Sequence, residues 1–500
     1  MADGPEQHSA PGVRTKLSIM MFLEFFIWGA WLPLIFGYLA DIKMTAIQQS
    51  WVLNAFAMAS FTAMFFFTQF ADRTFAAEKF VAFSHLVGGL AMAALTWTTD
   101  FTPFFLLMLV HSLFYVPTIS ITNSIAFANL KDPQRDFGPV RLWGTIGWIC
   151  AAWPFIFLPR DSMFLVSGVA SLVLAGFSMT LPHTPPKAPD AGAAKFAWLE
   201  AMKLLKIPYL LILFVVTFFD AAVHQGYFIL TGDYLKSIGV PGNWVSAVMS
   251  CGQVAEILTM AVLGYFLKRL GWRKIMILGI LGHTVRFAVF AFYPSPPVAV
   301  VVNFLHGICY AFFFATVYIF VDEFFPKDVR SSAQGLFNFL ILGLGPFVGN
   351  FVWPMLADTA RVEVPHRDSD SAWVFASKDS NVSLAGKAPA NSDVKIRLEN
   401  GAKEPPTVTT KANDQGEWSI PEQHVAIADP ETVQEWKAVP EGEATLTKAS
   451  RLNYRELLLY PSGTALFAAF LLLLLFHPPK TKTPDDAAVA LSEGADVPAE

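Results

Sequence analysis

The chain has 500 residues and a formal net charge of −5, and 54% of its residues are hydrophobic whereas only 15% are charged. Soluble domains carry roughly 25% charged residues, so this composition excludes an ordinary soluble protein and predicts a lipid bilayer as its surroundings. The acidic balance gives no reason to expect a nucleic acid as a partner.

Twelve apolar segments are long enough to cross a bilayer, since a span needs ~20 mainly apolar residues. The first, "LSIMMFLEFFIWGAWLPLIFGYL", lacks a clean cleavage site and is interpreted as an uncleaved helix rather than a signal peptide. The spans are predicted at 17–39, 51–70, 79–98, 104–127, 138–158, 163–181, 208–231, 245–268, 273–292, 297–321, 332–356 and 457–477.

The loops after the second and eighth spans resemble each other. They read "ADRTFAAEKF" and "LKRLGWRKIM", so basic clusters recur at equivalent places in two groups of six. Two six-helix halves joined by a linker are the plan of the major facilitator fold. The sequence therefore predicts an all-α membrane protein with an N-terminal half at 1–180, a cytoplasmic linker at 181–207, helices 7–11 at 208–356, helix 12 at 457–477 and a tail at 478–500.

Lys and Arg are distributed unevenly between the two sets of short loops. Eighteen fall on the side of the N-terminus, whereas the opposite loops hold only Lys43, Arg160 and Lys236. Cytoplasmic loops carry the excess of basic residues. We therefore expect both termini in the cytoplasm and a multi-pass protein of the cell (inner) membrane. Asp72 and Arg73, in the first basic loop, are predicted to steady the inward gate.

Residues 357–456 interrupt this pattern before the last span. "VKIRLENG" and "TVTTKANDQGEWSI" alternate β-prone residues with turn residues and predict a hairpin-like pair of strands. The segment weakly resembles bacterial immunoglobulin-like modules. The topology predicts a β-rich exoplasmic insert between helices 11 and 12, and a role in capturing substrate is less favoured than an ornamental one.

Placing an ionisable side chain at membrane depth costs ~2.5–3.5 kcal/mol of free energy, so such side chains usually face a cavity or a partner. Arg141, Thr145 and Trp148 are spaced by four and three residues and form one helical stripe. Gln253 and Glu256 share a face in the same way. For Arg141 and Glu256 we favour a functional role over a structural one.

Other ionisable residues in the spans are candidates for proton coupling. A transported proton needs a buried carboxylate beside a basic group that changes its proton affinity. Glu24, Asp220 and Glu256 are the candidate carboxylates, with Arg141 or Arg286 as the counter-charge; Asp220 and Arg286 can also be read as a structural ion pair. Aromatic rings, amides and carboxylates together indicate a polar, ring-bearing solute, and the residues alone leave nucleoside and sugar open.

Several motifs carry a resemblance to a known family. "YVPTISITNSIAF", "FGPVRLWGTIGWI", "GQVAEI" and "VRSSAQGLF" resemble segments of the bacterial nucleoside:proton symporters of the major facilitator superfamily, over roughly 17–356 and more faintly 457–477. The resemblance implies import of nucleosides with protons by alternating access. It also implies substrate contacts, which match Arg141, Thr145, Trp148, Gln225, Gln253 and Glu256 in this sequence.

This sequence departs from the family pattern at five positions. His306 and Tyr310 stand where the family has a tyrosine and a phenylalanine, and we retain both as predicted substrate contacts. Ala311 replaces an aspartate, Phe228 an asparagine and Glu24 a glutamine. Relative to the family pattern, the acidic residues of this chain therefore lie on different helices.

Two other classes of function remain open from the sequence. One is a symporter for a sugar or other polyol, and the other is a receptor-like membrane protein whose outer insert binds a ligand. An enzyme is disfavoured, because no nucleotide-binding loop, metal-ligand cluster or nucleophile–base pair stands out. No cofactor is expected apart from the proton as coupling ion, and the monomer is the favoured state because no small-residue face for helix association stands out.

Overall fold

The computed structural model describes residues 11–42, 44–62, 75–131, 133–186, 203–324, 327–369, 371–379, 381–425 and 434–478. The chain is mostly helical. Its α-helices are α1 (Pro11–Asp41), α2 (Ala46–Thr62), α3 (Ala77–Ala94), α4 (Phe101–Asn129), α5 (Pro133–Ala152), α6 (Met163–Ser178), α7 (Pro208–Ser237), α8 (Val245–Phe292), α9 (Pro296–Asn303), α10 (Leu305–Cys309), α11 (Thr316–Phe324), α12 (Lys327–Asn338), α13 (Gly345–Thr359) and α14 (Tyr454–Leu475).

Within the described ranges, nine helical segments are long and apolar enough to cross a membrane. One of them is α8, which covers the predicted spans 245–268 and 273–292 in a single run of 48 residues. Gly271 interrupts this run with a φ of 74°, in the left-handed region that favours glycine. We refer to the parts before and after Gly271 as the first and second arms of α8.

Two π-helical turns join short helices into longer rods. Tyr310–Ala315 continues α10 into α11, and Phe339–Leu344 continues α12 into α13. A π turn leaves a carbonyl without its usual helical partner, and the Thr316 hydroxyl donates to the Ala311 carbonyl at 3.1 Å. We call these the α9–α11 rod and the α12–α13 rod.

The helices pack in two groups, α1–α6 and α7–α14. Within the first group α1 packs on α5 and α3 packs on α6; within the second, α8 packs on α10 and α14. The groups meet where α2 packs on α13 and where α5 packs on α8. One continuous apolar core includes side chains of both groups, such as Trp31, Phe104, Phe287 and Phe320.

Strands occupy the chain between α13 and α14. They are β1 (Arg361–Glu363), β2 (Arg367–Ser369), β3 (Ala372–Ala376), β4 (Asn381–Lys387), β5 (Asp393–Glu399), β6 (Thr407–Lys411), β7 (Glu417–His424), β8 (Glu435–Pro440) and β9 (Thr445–Leu452).

These strands form two antiparallel sheets, in the orders β1-β9-β4-β7 and β2-β3-β8-β5-β6. The segments predicted to pair as a hairpin are β5 and β6, with Ile396 opposite Val408. The sheets face each other across a core of their own, in which Phe375 stacks on Trp436 at 4.4 Å. We call this unit the β-sandwich.

The β-sandwich is joined to the helices through the ends of α13 and α14, and its strand β7 also packs on α7. β1 follows α13 directly, β9 leads into α14, and the two strands pair with Arg361 opposite Leu452. Below that pair the Asn453 amide donates to the Ala360 carbonyl at 2.9 Å. The ends of α13 and α14 are therefore adjacent in space.

Removal of 361–452, with two glycines joining Ala360 to Asn453, is expected to leave the helical part folded. The two ends are already hydrogen-bonded, and the β-sandwich has its own core. The measurement is monodisperse elution in detergent together with a thermal unfolding midpoint close to that of the full chain. Aggregation of the shortened chain would show that the helices depend on the β-sandwich.

Candidate functional site

A cavity of about 410 Å³ lies between the two helix groups. This volume is within the range of roughly 300–1,000 Å³ that is usual for small-molecule sites. The first group contributes α1, α2, α4 and α5, and the second contributes α7, α8 and the two rods. All eight residues predicted to contact substrate line it: Arg141, Thr145, Trp148, Gln225, Gln253, Glu256, His306 and Tyr310.

Stacked and edge-on aromatic rings form one wall of the cavity. Trp28 stacks on Phe56 at 4.9 Å and meets Trp148 edge-on at 5.2 Å. Trp148 in turn approaches Phe228 of the other helix group at 6.4 Å. These rings offer both faces and edges to a flat solute.

Arg141 reaches the cavity because α5 lies very close to α1. A Cβ at Gly147 would overlap the Phe22 backbone, so only glycine allows this approach. The Arg141 guanidinium lies 3.9 Å from the centre of the Phe25 ring, a cation–π contact that leaves its N–H groups available. Thr145 and Trp148 follow on the same face.

Glu256 and Gln253 are placed by an equivalent close contact in the second group. A Cβ at Gly307 would overlap the backbone of Ala255 and Glu256, so α10 and the first arm of α8 touch backbone to backbone. A carboxylate of α8 and a guanidinium of α5 therefore line one cavity from different helix groups.

Three amide side chains that line or adjoin the cavity form a hydrogen-bonded chain from the second helix group to the first. The Gln225 side chain donates to Asn350 at 2.8 Å, and Asn350 donates to Asn54 of α2 at 2.9 Å. Tyr318 and Asn338, which also line the cavity, form a second polar pair. Asn54, Asn350, Tyr318 and Asn338 were not among the residues predicted for the site, although each is a polar side chain within an apolar span and so gave a signal in the sequence.

Glu24 lies inside the first helix group rather than on the cavity. Its carboxylate accepts from the Thr118 hydroxyl at 2.7 Å and lies 2.9 Å from His85 Nε2. His85 Nδ1 lies 3.0 Å from the Ser171 hydroxyl. Glu24 is thus fully buried with partners for both oxygens. The pairing of His85 with Glu24 was not predicted from the sequence.

Asp220 and Arg286 lie behind the cavity in the second group, both fully buried. Within the described ranges, neither carboxylate oxygen of Asp220 has a hydrogen-bond partner, so the structural ion pair considered with Arg286 is not formed. Arg286 is instead 2.9 Å from His306 Nδ1 and 2.8 Å from His283 Nδ1. Asp72 and Arg73 lie outside the described residues.

A second cavity, of about 630 Å³, lies where the ends of α1 and α7 approach β1 and β9. Its charged residues are already paired with each other or with a neighbour, so this cavity offers less to a charged solute than the one between the groups. The pairs are Asp41–Arg160, Asp233–Lys236 and Asp358–Arg361. In the part of the chain that the structure describes, no three His, Cys, Asp or Glu side chains are grouped as a metal site would need.

Comparison with known proteins gives a consistent result. Residues 12–382 match the model of the Nucleoside H+ symporter family. The putative nucleoside transporter YegT of Escherichia coli is 35% identical over 350 residues, covering 67% of this chain and 82% of that protein. Xanthosine permease of Escherichia coli is 28% identical over 389 residues, covering 73% and 92%.

A crystal structure of a mutant of the nucleoside transporter NupG has a TM-score of 0.70 at 22% identity and covers 93% of this chain and 100% of that one. Nine apolar helical segments within the described ranges, together with the match to a symporter family, define a multi-pass membrane transporter rather than an enzyme. The chain belongs to the nucleoside H+ symporter family, which confirms the resemblance found in the sequence.

Gly307→Ala is expected to destabilise the protein by about 1–3 kcal/mol and to reduce transport, because the new methyl group must push α10 away from Glu256. The measurement is the thermal unfolding midpoint together with uridine uptake. Gly264→Ala is the matched control, since a Cβ there has no neighbour within 4 Å. Equal behaviour of the two variants would contradict the close contact.

Proposed function

We propose that the chain imports nucleosides with protons, binding one solute in the cavity between the two helix groups. The groups then rock to expose that cavity to each side of the membrane in turn. The observation that carries this proposal is the convergence of eight polar and aromatic side chains from both groups on one cavity of nucleoside-compatible size. Membership of the family supports proton as the coupling ion.

The side chains suit the parts of a nucleoside. Trp148 and its ring neighbours provide a platform for the base, and Gln225 and Gln253 offer amide donors and acceptors to its edge. Glu256 can accept from ribose hydroxyls, and Arg141 can donate to a carbonyl. A solute that engages Gln225 competes with Asn350 for its amide, and Asn350 is the residue that donates to Asn54 across the two groups.

The proposed membrane topology follows the distribution of charge. The break at Gly271 divides α8 into two spans, so α1–α14 supply twelve spans in two halves, 1–180 and 208–356 with 457–477. The protein lies in the inner membrane. Its linker at 181–207 and both termini face the cytoplasm, as the excess of basic residues in the loops on that side indicates. The β-sandwich then lies on the exoplasmic side, and the protein acts as a monomer.

Glu256→Gln is expected to reduce uridine uptake by roughly 10- to 100-fold, the effect of losing a hydrogen bond to a charged group. The variant keeps the size of the side chain and removes only the charge. Initial uptake rates in proteoliposomes measure the effect. Glu363→Gln, which is exposed on β1, is the control. Uptake at the normal rate in Glu256→Gln would remove Glu256 from the site.

An inward proton gradient is expected to drive accumulation of labelled uridine in proteoliposomes containing the wild-type chain. Excess adenosine should compete with uridine, whereas hexoses should not, because a hexose lacks the flat base that the ring wall accommodates. Competition by a hexose, with no uptake of nucleoside, would transfer the proposal to a sugar. Loss of uptake in a folded chain without 361–452 would favour a receptor-like role for the β-sandwich.

A further inference from the structure

Five ionisable side chains cluster between the cavity and the interior of the second helix group. We call Asp220, His224, His283, Arg286 and His306 the His-Asp-Arg cluster. His224 and His306 line the cavity, and their rings stack at 5.0 Å. The other three are fully buried behind them. The cluster therefore extends from the solute site into a region that water does not reach.

The hydrogen bonds of Arg286 define the protonation of two histidines. A guanidinium has only donors, so the Nδ1 atoms of His306 and His283, at 2.9 and 2.8 Å, must accept. Each ring is then neutral and carries its proton on Nε2. Arg286 also lies 4.0 Å from the centre of the Tyr227 ring, which supports its charge from another side.

Asp220 has no such support in this conformation. Within the described ranges its two oxygens lack hydrogen-bond partners, and His283 Nε2 is 3.8 Å from one of them. Burying an ionised carboxylate without hydrogen bonds costs far more than burying the neutral acid. The arrangement therefore fits Asp220 with a proton bound.

Among the residues that the structure describes, the remaining surroundings of Asp220 do not supply a second counter-charge. α13 and α14 also pack on α7, where they present Trp353 and Phe467. The titratable or charged groups in and around the His-Asp-Arg cluster are His224 and Tyr227 on α7, His283 and Arg286 on the second arm of α8, and His306, Cys309 and Tyr310 on the α9–α11 rod. Arg286 is the cation among them.

We infer that Asp220 binds the transported proton and that Arg286 connects it to the solute site. When the proton leaves, Arg286 turns from the two imidazoles to the Asp220 carboxylate, and His306 loses its anchor. When a proton arrives from the cavity through His224, which is four residues from Asp220, Arg286 returns to His283 and His306. This inference rests on the proposed function, because it assigns the proton site of that transport cycle.

In symport, binding of the proton must favour binding of the solute, and the contacts of Arg286 couple the two in that direction. With Asp220 protonated, Arg286 holds His306 so that its remaining N–H, on Nε2, is available to a solute in the cavity. Protonation therefore favours solute binding, and by reciprocity solute binding favours protonation. Arg286 and His306 are positioning residues here, and Asp220 is the group that carries the proton.

The first test compares uridine affinity across pH for the full chain in lipid nanodiscs. Wild-type affinity should weaken by about 10-fold from acidic to alkaline buffer, a usual size for coupled sites. Asp220→Asn should bind uridine at every pH as the wild type does in acid, and should exchange uridine without accumulating it. Glu24→Gln, the matched buried carboxylate, should behave as wild type. A wild-type pH profile in Asp220→Asn, or its loss in Glu24→Gln instead, overturns the inference.

A second test needs no solute. Infrared difference spectra between acidic and alkaline buffer should show a protonated buried carboxyl in the wild type and in Glu24→Gln but not in Asp220→Asn. Asp220→Glu should shift that band, which serves if the asparagine variant does not fold. A band that persists unshifted in the Asp220 variants overturns the inference. A wild type that shows the Asp220 band but neither binds nor exchanges uridine refutes the proposed function and retains the proton site.

The positioning role has its own readout. His306→Ala should keep the carboxyl band, because Asp220 is unchanged. It should weaken uridine binding at all pH values and flatten the pH profile, because Arg286 no longer links the two sites. An unchanged slope of affinity against pH in His306→Ala would show that the link does not pass through His306.

Discussion

The cost of placing a polar or charged group in hydrocarbon governs the interior of this protein. Four ionisable side chains of the helices have therefore found one of three kinds of surroundings. Glu24 is enclosed by hydrogen-bond partners, Arg141 and Glu256 line a cavity, and Arg286 is held by imidazoles and a ring. In the part of the chain that the structure describes, Asp220 has none of these, which is why it stands apart chemically from the other two candidate carboxylates.

The same cost explains what could be predicted from the sequence. Exposing a charged or polar side chain to lipid costs free energy, so the polar face of a helix is expected to point toward a cavity. Helical spacing shows that Arg141, Thr145 and Trp148 share one such face. The roles of these residues remain proposals. The amides Asn54 and Asn350 were missed because a single buried amide in a span often only forms a hydrogen bond between packed helices and so does not point to a binding site. His85 was missed because its partner Glu24 is distant in the sequence, and such a pairing depends on how helices associate.

Close backbone contacts complete the site in a way that periodicity does not reveal. Gly147 on α5 and Gly307 on α10 each allow a neighbouring helix to approach to backbone contact. Both glycines look like ordinary members of an apolar span, because the partner helix that requires them lies far away in the chain. The helical character was therefore predictable from composition, whereas the approach of particular helices was not. The break at Gly271 is a local exception, since a glycine between basic residues is a natural place for a helix to be interrupted.

The junction between α13, α14 and the β-sandwich has a practical consequence. β1 follows α13 directly and β9 leads directly into α14, and the two strands pair at the residues next to the helices, Arg361 with Leu452. A change in the tilt of these helices is therefore passed on to the β-sandwich, which is held together by a core of its own. Displacement grows with distance from a pivot, so a fluorophore or antibody fragment fixed to the far edge of the sandwich would magnify helix motions that are small at the cavity. A label on the β-sandwich would thus report the motions of α13 and α14 in single-molecule measurements.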